Sequence, residues 1–165
     1  KDELNSKIGW YHSRNSKAHI TIVEFTADED EVEKNIKLVT EIASQEIAIH
    51  LSFDGVSNYP NGAVFLKPDE ATKKPLTDLM IRIQKNLNIK NSHKSKDPHI
   101  SIGRKLSEDN VEIALKMFAD VKLDFECANL VLRKFNSSKK QYDYFSEAFM
   151  FLGLQPKPDA QQSLF

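Results

Sequence analysis

The chain carries one short string twice. His19-Ile20-Thr21-Ile22 and His99-Ile100-Ser101-Ile102 each set a histidine, an apolar residue, a hydroxyl residue and a second apolar residue in a row. In a β-strand successive side chains face opposite ways. His19 and Thr21 therefore share one face and Ile20 and Ile22 the other; His99 and Ser101 repeat this, backed by Ile100 and Ile102. Two such strands in one small protein define a cleft lined by two imidazoles and two hydroxyls. That constrains the fold to two related units facing one another.

The pattern around each string supports a duplication. Residues 20–25 read as a strand, and Asp28 to Glu31 place acidic residues at a helix start, where the dipole favours them. Val32, Ile36, Val39, Ile42 and Ala43 continue at helical spacing to about Gln45. Ile47, Ile49, Leu51 and Phe53 alternate as a strand. The turn-rich stretch 54–62 is expected as a hairpin connection, and residues 63–67 as its second strand. A helix follows from Asp69 to about Leu87, with Pro75 predicting that its regular part starts only there. The second half repeats the order, with a strand at 100–104, a helix opened by Ser107, a long strand over 123–134, a turn at 136–140 and a strand over 142–152. Strand–helix–strand–strand thus occurs twice, with little residue identity. By the same symmetry a strand and a helix should precede His19. Only Leu4 and Ile8 look like a helix tail there, so the expectation is that an N-terminal strand and most of a helix are missing from this chain; the alternative is a repeat that is imperfect at this point.

The expected fold class is α+β and bilobal. Two pseudo-symmetric lobes of antiparallel sheet with flanking helices surround a central cleft. Residues 1–153 form one domain with interleaved lobes, and residues 154–165 an extended tail carrying Pro156 and Pro158. At 165 residues a sizeable core is available. A net charge of −1 exerts no global pull on a polyanion, so any such affinity needs a local patch. Lys94, Lys96, Arg104 and Lys105 form one basic neighbourhood, and Arg133, Lys134, Lys139 and Lys140 a second; both could attract an RNA backbone or be plain solvated surface. Strict alternation turns Arg104 away from His99, leaving it able to reach a phosphate only past the strand end. Cys127, the single cysteine, excludes an internal disulfide and fits a reducing, cytoplasmic compartment. Its neighbours Phe125, Asn129 and Val131 indicate a structural strand position. No apolar run is long enough to span a bilayer. The final Gln161-Gln162-Ser163-Leu164-Phe165 resembles the peptides by which bacterial proteins dock on the sliding clamp; the plain reading is a tail.

Phosphodiester chemistry needs a base, an acid and donors for the phosphoryl oxygens. With an ordinary pKa near 6.5, one histidine can be neutral and the other protonated near neutral pH. His19 and His99 are the candidate acid–base pair, with Thr21 and Ser101 as hydrogen-bond donors. This scheme requires no metal. A metal site is the rival use of two histidines, but the usual ligand spacings and phosphate-cradling glycine loops are absent. His12, His50 and His93 lack a partner pattern. Trp10, Tyr59, Tyr142 and Tyr144 are candidates to stack on a base, against a default of core packing.

These strings resemble the hallmark of the two-histidine phosphoesterase superfamily, close to its 2′-5′ RNA ligase-like or RNA cyclic phosphodiesterase branch. Asp97-Pro98-His99-Ile100-Ser101-Ile102-Gly103-Arg104 is similar to that family's Pro-His-x-Thr-x-x-Arg pattern, and Gly9-Trp10 precedes the first string in a familiar arrangement. The likeness covers roughly residues 8–153, and beyond the doubled string it is one of topology. It implies His19 and His99 as acid and base and Thr21 and Ser101 as phosphate ligands. It implies action on 2′,3′-cyclic phosphates or 2′-5′ linkages, in RNA ends or small nucleotides, without metal. The chain departs in lacking the N-terminal strand, in having serine in the second string, and in lacking strong basic character, which leaves room for a small cyclic nucleotide. The alternative is a non-catalytic nucleotide- or RNA-binding module that kept the cleft.

Overall fold

A computed structural model describes residues 1–156. In chain order the elements are α1 (Asp2–Ile8), β1 (Val23–Glu24), α2 (Glu29–Gln45), β2 (Ile49–Tyr59), β3 (Ala63–Pro68), α3 (Glu70–Leu87), β4 (His93–Lys94), β5 (Ile100–Gly103), α4 (Glu108–Met117), β6 (Leu123–Cys127), β7 (Asn129–Leu130), β8 (Arg133–Asn136), β9 (Gln141–Tyr144) and β10 (Phe149–Met150). The fold is α+β, and every strand pairing is antiparallel.

Local chemistry sets the helix starts. Asp28 and Glu31 form a reciprocal capping box on α2. The Asp69 carboxylate accepts the Thr72 amide at 2.7 Å. That cap fixes the first turn of α3 ahead of Pro75, so the helix begins at Glu70 and runs through the proline rather than starting there. Ser107 caps α4.

The main sheet has the order β5-β3-β2-β6. Its β2–β3 hairpin is longer than expected. Asp54-Gly55 reads as a turn in sequence, yet the register shifts between Phe53 and Gly55, so Asp54 is the extra residue of a β-bulge. The real turn is tighter, closed by the Gly62 amide donating to the Tyr59 carbonyl at 3.1 Å. Gly62 sits at φ 76°, and a Cβ there would lie 2.3 Å from the Leu106 carbonyl oxygen.

The expected long strand over 123–134 is three short ones, because the segment changes partner twice. β6 pairs with β2, β7 with β10 and β8 with β9. The strand expected over 142–152 is likewise divided into β9 and β10. The first histidine string forms no ladder of its own; pairing begins only at β1, against β4. A cause lies in α3. The buried Gln84 side-chain amide donates to the Ile22 carbonyl at 2.8 Å and the Ser95 carbonyl at 2.7 Å. It straddles the two segments where their ladder stops.

Two clusters of buried side chains make the core. One joins Leu4, Leu51, Phe53, Val64, Leu66, Met80, Ile100, Ile102 and Ala114; the other joins Ile42, Ala43, Leu79, Ile83, Leu87, Phe149 and Phe151. Helix α3 contributes to both, and Ile22, Ile49 and Cys127 pack against both. Ile22 of the His19 string therefore lies at the seam of the two cores, while Ile20 packs against the first alone. Among the described residues no helix is long and apolar enough to cross a membrane.

Candidate active site

The two histidines repeat one another at the level of atoms. His19 Nδ1 lies 2.7 Å from the Lys17 carbonyl, and His99 Nδ1 lies 2.9 Å from the Asp97 carbonyl. A carbonyl oxygen can only accept, so in the neutral ring the proton sits on Nδ1 and donates to it. In both rings the nitrogen left for chemistry is Nε2. Each imidazole is thus braced by the backbone two residues upstream, in the same way, eighty residues apart in sequence.

The second string has the expected alternation: His99 and Ser101 are half-buried and Ile100 and Ile102 buried. Around His99 stand the Tyr59 ring, edge-on at 5.7 Å between centroids, and the Phe65 ring at 5.0 Å. The Tyr59 hydroxyl donates to the Asp97 carboxylate. Burial, then the bond to Asp97, pushes the phenol up to about 12. Tyr59 therefore grips the residue whose carbonyl braces His99.

Alternation fails just beyond Ser101. Phe65 faces Ser101 and Val64 faces Gly103, so Ile102 is the extra residue of a bulge on β5. A bulge re-aims the residues beyond it. Arg104, after the strand end, bridges His12 through the backbone, and its charge acts on both His19 and Tyr142. The bulge breaks the strict alternation that would turn Arg104 away from His99, and Arg104 stands just past the strand end.

His19 sits in a positive environment. Its pKa is lowered, first by burial and then by Arg133, Lys1 and Arg104; only the bond to the Lys17 carbonyl opposes this. Lys1 donates to the Ser13 and Ser16 carbonyls at 3.1 and 2.9 Å, and burial with Arg133 nearby brings its ammonium down to about 8. Arg133 donates to the Tyr142 carbonyl at 2.7 Å, while its Nε is buried and unpartnered. The Tyr142 hydroxyl donates to Glu24 at 3.0 Å. Sequence spacing places Arg133 only in a general basic cluster; its proximity to His19 depends on the hairpin formed by β8 and β9.

The ladder of β1 with β4 extends by one bond, from the Ser95 amide to the Ile22 carbonyl at 3.0 Å. It lays the chain that leaves His19 beside the chain that approaches His99. Thr21 is half-buried like Ser101. Trp10 is 66% exposed and edge-on to His12 at 5.1 Å, next to the Arg104 bridge. His50 lies near Asp124 at 3.6 Å on the surface, and His93 pairs with Glu24 in the β1–β4 ladder. Two surface concavities, one against α2 at Ile36, Thr40 and Ser44 and one against α3 at Thr77, Met80 and Gln84, contain neither histidine. Cys127 is partly buried, and burial raises its thiol pKa, which suits a packing role. Among the described residues no cluster of three or more His, Cys, Asp or Glu could hold a metal ion. The clamp-like string Gln161–Phe165 lies outside the described residues.

The model of the 2′-5′ RNA ligase superfamily matches residues 5–139, and the chain belongs to that superfamily. Phosphoesterase and ligase chemistry is the activity class this membership supports. A solved structure described as a phosphoesterase shares the fold at a TM-score of 0.51 and 15% identity, over 75% of this chain and 71% of that one. No curated protein matches the sequence.

Proposed function

We propose that the protein is a metal-independent phosphodiesterase that hydrolyses, or reversibly ligates, 2′,3′-cyclic phosphate or 2′-5′ phosphodiester bonds in RNA ends or small nucleotides. The observation that carries this reading is the matched bracing of His19 and His99, which offers two Nε2 atoms for proton transfer. The lowered pKa of His19 suits it to the base role, neutral near pH 7. His19 Nε2 takes a proton from the attacking water, whose oxygen bonds to phosphorus. His99, as imidazolium, gives its Nε2 proton to the departing ribose oxygen. Thr21 and Ser101 donate to the non-bridging oxygens, and Arg104 adds charge where the phosphorane builds it up. Ligation is the same path reversed, with a ribose hydroxyl as nucleophile. The protein acts in the cytoplasm on this reading.

The test is turnover of the four nucleoside 2′,3′-cyclic monophosphates and of a short RNA ending in a cyclic phosphate, with EDTA present. The His19→Ala/His99→Ala double variant is run beside the native protein. Turnover by the native protein alone supports the scheme. Binding without turnover by the native protein would overturn it in favour of a module that only binds nucleotides.

A further inference from the structure

The hairpin of β8 and β9 presents two different faces. Arg133 pairs with Tyr144 and Phe135 with Tyr142, so these four side chains share one face. Three of the four are aromatic and exposed: Phe135 by 52%, Tyr142 by 38% and Tyr144 by 53%. The other face carries Lys134, Asn136, Gln141 and Asp143. The Phe135 and Tyr142 rings touch and the Tyr142 hydroxyl holds Glu24, yet a large part of all three rings stays open to solvent. Exposed apolar surface grouped on one face of a short hairpin marks a binding surface.

Its position says what it binds. Lys17, whose carbonyl braces His19, has its ammonium 4.5 Å from the Tyr144 ring centre. Arg133 lies 5.8 Å from the Tyr142 ring and 5.9 Å from the Tyr144 ring, and its charge reaches His19. Rings with interleaved cations are the surface on which single-stranded nucleic acid stacks. The two ring-bearing cross-strand pairs are spaced about 7 Å apart along the hairpin, a step an unstacked nucleotide chain can span.

We infer that this face is a stacking platform for the nucleotides next to the reacting phosphate, so that the preferred substrate is a single-stranded RNA end rather than a cyclic mononucleotide. The inference rests on the proposed phosphodiesterase reading and names the substrate class of the same site. Charge complementarity supports it: Arg133 and Lys17 stand among the rings.

The test compares kcat/KM for a nucleoside 2′,3′-cyclic monophosphate with that for a four-nucleotide RNA ending in a cyclic phosphate. It uses the native protein, Phe135→Ala, Tyr144→Ala and, on the opposite face, Gln141→Ala. The native protein should prefer the RNA. Each ring removal should cut that preference by about fivefold or more, and Q141A should keep it. Equal use of both substrates by the native protein, or an unchanged preference in both ring variants, overturns the platform while leaving the phosphodiesterase reading intact. Should neither substrate turn over, that reading fails, and the platform is judged by fluorescence anisotropy with a 3′-phosphorylated RNA of the same length. Binding weakened by both ring variants supports it, and equal binding by all four proteins, or binding by none, overturns it.

Discussion

His19 carries the clearest electrostatic signature in the site. Burial and three cations oppose its protonation. If His19 is the base, protonating it stops the reaction, so the acid limb of the kcat/KM profile lies below the ordinary imidazole value near 6.5. Arg133→Gln removes one of those cations, makes protonation easier and should move the limb to higher pH. A pH–rate profile of both proteins checks this, and a limb that stays put or moves down contradicts the assignment. Tyr59 is legible in sequence as an aromatic that could stack on a base, but its hydroxyl reaches Asp97. Tyr59→Phe keeps the ring and loses the bond, so kcat should fall about ten- to 150-fold with KM little changed, the loss expected for a bond to a charged group. Steady-state kinetics separate the two roles. A raised KM at native kcat would favour substrate contact over positioning. The bracing of each histidine is not legible in sequence, because a two-residue turn to a carbonyl depends on backbone angles that residue types do not fix. The doubled string itself is legible, as strand alternation needs only residue order.

At the scale of elements, helices are readable from sequence because their signals are local. Asp28, Asp69 and Ser107 each sit at the expected helix start, and the apolar spacing after them follows from helix geometry. Strands are less readable where their limits are set by partners far away in sequence. Residues 123–134 have the pattern of one strand, yet the segment serves three sheets in turn. The Ile102 bulge arises from register with β3 and has no local mark. Gly62 is the clearest single test of these joints. Its positive φ and its contact with Leu106 leave no room for a methyl group, and Leu106 in turn donates to the Gly62 carbonyl at 2.9 Å. Gly62→Ala should cost about 1–3 kcal/mol from backbone strain alone. Denaturant unfolding measures it, and a midpoint equal to the native one would show that this turn does not lock β5 to the hairpin.

Across the whole molecule, two cores meet along α3 and at Ile22, Ile49 and Cys127. The repeat predicts two related units, and the chain builds them unequally: a four-stranded sheet on one side and three two-stranded ladders elsewhere. What the units share is the histidine string and its bracing. The seam between the cores runs through the residue behind Thr21, so packing on both sides holds the His19 string against the approach to His99. The proposed chemistry requires these two histidines to act together in one reaction. The most direct measurement is kcat/KM of His19→Ala and His99→Ala, each alone, on the best cyclic phosphate substrate with EDTA present. Each variant should lose about 10²–10⁴-fold, the range for removing a general acid or base, with circular dichroism showing both folded. A folded single variant that keeps turnover within threefold of the native protein would contradict the paired mechanism.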